Sequence, residues 1–523
     1  MFDACVVGSG PGGVFAAYGL RGRNVLMLDA GLQPPTEAQS FDANFYDLRQ
    51  SSTSLDRELL GDTLDGLQHI FTPSPSLKLK SPRTSFVIGE SARLTPVVSE
   101  SFRAAISLAQ GGLANAWGAG VYRFNDRDLA GFPIKARELA PFYDTIAREI
   151  GISGSADDDL LGDFGTEADL QSPVRLSPNV ARIFSNYTAQ RQYFQNARIR
   201  MGHARLAVLT EPHKNRTPYG YRNLEFFETR DPAAYNPVFT LREMIAANEV
   251  TYEPGWIVTH YEETESGVLV HANSLDGARS QIFEARKLLL AAGAINSARI
   301  ALASQNDYST RLPICDNPIA VFPLVHWRGI GRPLETREGA VAQLNVIVET
   351  EERTLQGSVY GSGGALRSDL IANFPLPLQS GVAFARVVAP ALTLLMLFYP
   401  EERSASNYLQ LLPSGALRAE YEWSPDSALE RRVCSHLRCL GVMCLPQLIQ
   451  HPAHGGGIHY AGTLPMSSEP GPYETHPDGR LAGSKHVYSC DGAVFPTLPA
   501  KNLTYTLMAL SLRTASRLRE ELK

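Results

Sequence analysis

The stretch Phe2-Asp3-Ala4-Cys5-Val6-Val7-Gly8-Ser9-Gly10-Pro11-Gly12-Gly13, continued by Val14 to Leu20 and then Val25-Leu26-Met27-Leu28-Asp29, decides the fold. An apolar run, a glycine turn, a helix-like apolar stretch, a second apolar run and a closing acid make a dinucleotide-binding βαβ unit. Gly8 permits the tight turn, and Gly10 lets the backbone approach a pyrophosphate seated on the positive end of the helix. Gly13 lets the helix lie close to the strand. Asp29 is placed to accept hydrogen bonds from an adenosine ribose.

Working outward, the 523 residues exceed what one simple core holds, so two domains are expected. The net charge is -6, with no basic block and no aromatic–basic interleaving, which excludes nucleic acid as a partner. The fingerprint begins at residue 8, leaving no room for a leader ahead of it, and a cytoplasmic location is expected. The six cysteines, Cys5, Cys315, Cys434, Cys439, Cys444 and Cys490, do not read as a disulfide framework, and Cys434, Cys439 and Cys444, five apart, read as small buried apolar residues rather than metal ligands. Gly381 to Tyr399 is long and apolar, but Arg386 interrupts it and Pro390 breaks it. It is read as parts of buried strands (Phe384, Val387, Val388, Leu392, Leu394), with no membrane span.

Residues 33–84 are rich in Pro, Ser, Thr and Asp and read as a long surface excursion, either a lid or an oligomer contact. A second glycine-rich segment follows at Gly111 to Phe124. Leu139 to Ile150 reads as an amphipathic helix ended by Gly151. Val268 to Ala272 and Lys287 to Ala292 read as strands, the second apolar on both faces, and a helix follows through Arg299 and Leu302. From 301 to 450 alternating segments such as Val341–Val348 and Tyr408–Leu412 predict antiparallel strands, and Ser427 to Leu445 a helix stopped by Pro446. Val487 to Ser489 returns as a strand, and Leu507 to Leu522 closes as a helix. The expected architecture is α/β. A Rossmann-like domain spans 1–300 and 451–523, and a second, mainly antiparallel substrate domain is inserted at 301–450.

Several separated segments, in order along the whole chain, resemble the glucose–methanol–choline (GMC) oxidoreductases. They are Val6 to Gly13 with Val25 to Gly31, Gly111-Gly112 through Trp117-Gly118, and Leu290 to Ile300. Asp491-Gly492-Ala493-Val494-Phe495-Pro496, Asn502-Leu503-Thr504 and Met508-Ala509-Leu510 complete them. The resemblance departs at Asp29, where the family usually has Glu, at Leu113-Ala114, and at Ala298. It implies a glutathione-reductase-like FAD domain and oxidation of an alcohol CH–OH to a carbonyl, with hydride passing to flavin N5. Residues 110–120 contain no His of the kind that binds FAD covalently in some members, so non-covalent FAD is implied. The implied cofactor contacts are Gly8, Gly10, Gly13, Asp29, Gly111, Gly112, Asn115, Trp117, Gly118, Ala292, Gly293, Asp491, Gly492 and Ala493, with Asp491 meeting the phosphate or ribityl chain through side chain and backbone.

The catalytic candidates are His459, in Gly455-Gly456-Gly457-Ile458-His459-Tyr460-Ala461-Gly462-Thr463, and Asn502. An imidazole titrating near neutrality suits a base for the hydroxyl proton. Asn502 either holds the substrate oxygen, caps the following helix, or does both. Asn115, Trp117, Tyr460 and Tyr505 are weaker candidates for substrate contact, each equally readable as packing. No metal is expected from His451, His454 and His459, since no carboxylate or thiolate shares their segment. Segments Met201–Val208 and Tyr235–Leu241 resemble those of bacterial members acting on sugars, glycosides or polyols, and that is the expected substrate class. The acceptor is either O2 or another molecule. Residues 209–234, where such relatives often carry cysteines, have none. Two rival functions stay open: a lyase or decarboxylase on the same scaffold, and a non-catalytic nucleotide-binding protein.

Overall fold

The structure, a computed structural model, describes residues 1–35, 43–51, 57, 59, 79, 81–167, 169–224, 227–333, 337, 339–361 and 376–522. Most of the excursion expected over 33–84 lies outside these described residues; within it the short helix Phe45–Ser51 is described.

Strand Phe2–Val7 sits inside a seven-stranded sheet. It pairs in parallel with Val25–Asp29 on one side, Val6 opposite Met27, and with the end of Ser280–Leu290 on the other, Val7 opposite Leu290. Thr251–Pro254 and Val487–Ser489 extend the parallel part. The first half of Ser280–Leu290 pairs instead with an antiparallel meander, Val268–Ser274 and then Trp256–Glu263. Side chains alternate across the strand. Ala4 and Val6 pack with Leu289 against helices Pro11–Gly19 and Thr504–Glu521, while Cys5 and Val7 pack with Leu288 and Leu290 under helix Ala294–Ser304. Each buried Val or Leu contributes roughly 1.5–3 kcal/mol, so a strand apolar on both faces is held from both sides.

The glycine turn makes that packing possible. Gly8 has φ +101°, and a Cβ there would lie 2.5 Å from the Ala291 carbonyl oxygen. A Cβ on Gly13 would meet the Gly8 carbonyl oxygen at 1.9 Å. The helix can therefore leave the strand end only at backbone contact distance.

A second sheet is antiparallel throughout, in the order Ile319–Val325, Leu392–Phe398, Thr354–Tyr360, Leu344–Glu349, Ile199–His203. The last of these strands comes from residues 1–300, and Val97–Val98 likewise joins Leu417–Glu420 in a smaller sheet, so the sheets cross the sequence boundary at 300/301. One face of the five-stranded sheet buries Ala320, Phe322, Leu324, Leu395 and Leu397 against helices Pro178–Ala189 and Ser427–Arg438. Its other face turns toward the first sheet.

Four readings of the sequence are corrected. Leu378–Val388 is a helix, so Phe384 and Val387 are not in buried strands; they are 45% and 46% exposed. Pro390 ends that helix and Leu392–Phe398 then forms the strand. No helix among the described residues is long and apolar enough to cross a membrane. The helix from Ser427 ends at Arg438 rather than Leu445, because Gly441 (φ +78°) turns the chain and Met443 pairs back onto Val325. Cys439 is exposed rather than buried. The closing helix begins at Thr504, three residues before the expected start.

Gly13→Ala is expected to cost about 1–3 kcal/mol of stability, since the added carbon has only backbone to displace. Gly10→Ala should leave the unfolding of cofactor-free protein unchanged, because Gly10 has φ -66° and nothing lies within 4 Å of its added Cβ. Thermal unfolding of both variants checks this; equal midpoints would contradict the packing described.

Candidate active site

A continuous cavity of about 730 Å³ runs between the two sheets, from Asp29 and Trp256 at one end, past Gly8–Gly12, Gly112 and Ala292-Gly293, to His459 and Asn502. Its first part is a cradle for a dinucleotide. Helix Pro11–Gly19 has no side-chain cap, so its first-turn N–H groups are available where an anion would sit. Gly10 leaves that approach clear, and the second glycine segment closes in from the side, a Cβ on Gly112 falling 3.3 Å from the Gly10 Cα. Asp29 is oriented by the Ser9 hydroxyl and by the Tyr252 hydroxyl at 3.0 Å, and Ser9 Oγ accepts from Gly111 N at 3.0 Å. Burial pushes the Asp29 carboxyl up to about 6. An uncapped helix start, an acid at the end of the second strand and an open glycine floor fit FAD.

Not every expected cofactor residue faces the cavity. Gly8, Gly10, Asp29, Gly112, Trp117, Gly118, Ala292, Gly293, Asp491 and Gly492 line it. Gly13, Gly111, Asn115 and Ala493 stand behind the wall. Asn115 is buried and donates to the Gln110 and Gly112 carbonyls at 2.9 and 2.8 Å, shaping the glycine turn instead of touching a ligand. The Asp491 carboxylate is held within the protein: Oδ2 accepts from Gly293 N (2.9 Å) and Ser297 Oγ (2.6 Å), and Oδ1 from Ala493 N (2.9 Å), while Asp491 and Gly492 line the cavity.

His459 lies at the other end, on a loop whose glycines are explained by what they touch. A Cβ on Gly457 would fall 2.3 Å from the Asn317 carbonyl oxygen, so the loop lies directly on Asp316-Asn317. The Asp316 carboxylate accepts from Gly455 N (2.8 Å) and His459 N (3.4 Å), and Tyr460 Oη donates to the Gly455 carbonyl (2.7 Å). Burial raises Asp316 to about 6. His459 Nδ1 is 3.0 Å from Asn317 Oδ1. Asn317 Nδ2 donates to the Tyr399 and Pro499 carbonyls at 2.8 and 3.1 Å, which occupies both its hydrogens and orients the amide. Oδ1 can only accept, so His459 carries its proton on Nδ1, and Nε2 is the ring's proton acceptor. Burial lowers this histidine to about 4, keeping the ring neutral. Phe398 stacks on it, centroids 5.2 Å apart.

Asn502 lines the cavity just before helix Thr504–Glu521. It does not cap that helix: the cap position is Leu503, with no side-chain hydrogen bond. Asn502 Oδ1 is buried without a hydrogen-bond partner among the described residues. Of the weaker candidates, Trp117 and Tyr460 line the cavity, whereas Tyr505 is fully buried with its hydroxyl on the Tyr143 carbonyl (2.8 Å) and is a packing residue. His451 and His459 turn to different partners, Glu430 (2.8 Å) and Asn317. Asp316 and Asn317 escaped sequence reading because their partner, His459, is over 140 positions away; the only local signal was a turn-like Asp-Asn-Pro between apolar runs.

A family model described as GMC oxidoreductase matches residues 445–511, the segment that carries His459, Asp491 and Asn502. No curated protein matches the sequence. Among solved structures the chain is similar to the crystal structure of pyridoxine 4-oxidase from Mesorbium loti, with a TM-score of 0.59 and 13% identity over 99% of each chain. At that identity the likeness speaks for the fold, which is the α/β arrangement of a Rossmann-like domain joined to an antiparallel one. The C-terminal segment 445–511 thus matches the GMC oxidoreductase family model, and the whole chain has the fold of a solved oxidase, in line with the ordered motifs from Gly8 to Met508 that resemble the same family.

Proposed function

We propose that the chain binds FAD non-covalently and oxidises an alcohol to a carbonyl, with His459 as the base and Asn502 holding the substrate oxygen. The observation that carries this reading is an imidazole held neutral, its proton fixed on Nδ1 by Asn317, in the same cavity as the dinucleotide cradle. FAD, when bound, supplies the acceptor for hydride. His459 Nε2 takes the hydroxyl proton, and the substrate hydroxyl finds a partner in the Asn502 amide, whose Oδ1 has none within the protein. Asn317 is a positioning residue: it fixes the tautomer without touching substrate. Gly111, Gly112, Trp117 and Gly118 form the wall opposite Ala292-Gly293 or support it. Domains divided as 1–300 with 451–523, and 301–450, suit a cofactor and a substrate half, with the cavity between them. The sequence resemblance favours a sugar, glycoside or polyol as substrate.

The test is anaerobic absorbance of the FAD-bound protein with a panel of alcohols. Bleaching of the visible flavin band by one of them, slowed about 10²- to 10⁴-fold in His459→Ala, is the expected result. A bound flavin that no alcohol reduces would move the lyase or decarboxylase reading ahead. The pH dependence is equally specific. The neutral ring is the active form, and burial has lowered its titration to about 4, so flavin reduction should stay level as pH falls below 6.5 and fail only as it nears 4. An acid limb at 6.5 or above would contradict the site as described. Asn317→Asp keeps an acceptor on Nδ1 but adds a negative charge beside the ring, so the acid limb should move to higher pH. A variant that merely weakened packing would leave the limb in place.

A further inference from the structure

The chamber in front of His459 has one wall whose composition is uniform. Strands Ile319–Val325 and Leu392–Phe398 are antiparallel neighbours, with Ile319 opposite Phe398, Val321 opposite Met396 and Pro323 opposite Leu394. Their other residues, Ala320, Phe322, Leu324, Leu395 and Leu397, fill the core on the far face. The period of two sends the remaining six toward the cavity, and all six line it. Every one is apolar. Val321, Pro323, Leu394 and Met396 keep residual exposure there, while the matching positions on the far face are buried. Phe398 continues the wall onto the imidazole itself.

Polar groups stand beside this wall and at the cavity mouth. Gln450 is tied to Val321 by two backbone hydrogen bonds of 2.8 and 3.0 Å, but it, His451 and Pro452 are exposed and stand at the cavity mouth. Tyr360, on the next strand opposite Leu394, lines the same cavity. His459 and Asn502 meet the reacting hydroxyl, and Tyr360 and Thr504 line the same cavity beside the wall.

We propose that this chamber prefers an alcohol carried on an apolar body over sugars and polyols; the inference rests on the alcohol oxidation proposed above. A single hydroxyl meets His459 and Asn502, and the apolar body lies on Ile319, Val321, Leu394, Met396 and Phe398. Any polyol hydroxyl laid on this wall would face methyl groups and a thioether, and an unpaired buried hydroxyl lowers kcat/KM by about 10²-fold. The sugar class favoured by the sequence resemblance thus conflicts with the wall that the fold builds.

The experiment uses the FAD-bound enzyme and three probe sets: benzyl alcohol and cyclohexylmethanol, glucose and glycerol, and 2-phenyl-2-propanol. The last has no hydrogen on its carbinol carbon and reports binding alone, through the perturbed flavin spectrum. The expected result is binding of 2-phenyl-2-propanol and kcat/KM at least about 10²-fold higher for the two ring alcohols than for glucose or glycerol. Met396→Gln should cut the ring-alcohol value about tenfold or more without raising KM for glycerol; its melting point reports whether it folds. Equal or better turnover of glucose or glycerol overturns the inference and leaves His459 chemistry standing. Absence of 2-phenyl-2-propanol binding also overturns it. Binding of 2-phenyl-2-propanol with no reduction by any alcohol upholds the wall and sinks the oxidation reading instead.

Discussion

Asp491 is one buried carboxylate on which three parts of the chain converge. Through Gly293 N and Ser297 Oγ it pins the start of helix Ala294–Ser304, which follows the central strand Ser280–Leu290. Through Ala493 N it holds the turn after Val487–Ser489. That turn in turn accepts Gly462 N on the Gly492 carbonyl at 3.0 Å, and Ala461 exchanges backbone hydrogen bonds with Cys315. A short succession of backbone contacts therefore leads from the cofactor cradle to Asp316, Asn317 and His459. Burial raises the Asp491 carboxyl to about 6, and its three donors offset that cost. Loss of this group would loosen the cradle and the catalytic loop together.

The two sheets divide the remaining labour because their faces differ. The parallel part of the first is apolar on both sides and is covered by helices on both, so it is a rigid platform. The five-stranded sheet buries one face against helices. On its other face the strands Ile319–Val325 and Leu392–Phe398 present apolar side chains to the cavity, while the next two strands carry Tyr360, Ser358, Gln356 and Asn345. The first sheet carries the glycine cradle, and the second supplies the apolar residues at the His459 end of the cavity.

Desolvation runs through the site in a consistent direction. It raises Asp29, Asp316 and Asp491 and lowers His459, in each case favouring the neutral form. For the carboxyls the opposing hydrogen bonds moderate the effect. For His459 burial keeps the ring neutral, the form that the proposed proton abstraction requires.

The sequence by itself determined the βαβ start, the α/β class and the segment containing His459, because each is written in contiguous residues: a glycine turn between apolar runs, or three glycines ahead of a histidine. Errors fell where a boundary depended on non-local pairing. Ser427 to Leu445 carries helical residues to its end, yet Met443 is drawn off to pair with Val325. Phe384 and Val387 were apolar enough for a strand, but neither finds a core to enter. Tertiary structure alone decided that Asn317 fixes the imidazole tautomer, that the Asp491 carboxylate staples Gly293, Ser297 and Ala493 together, and that six residues from two strands make one apolar wall. Those facts depend on distances between residues that are remote in the chain, and periodicity carries no information about which remote partner a side chain will meet.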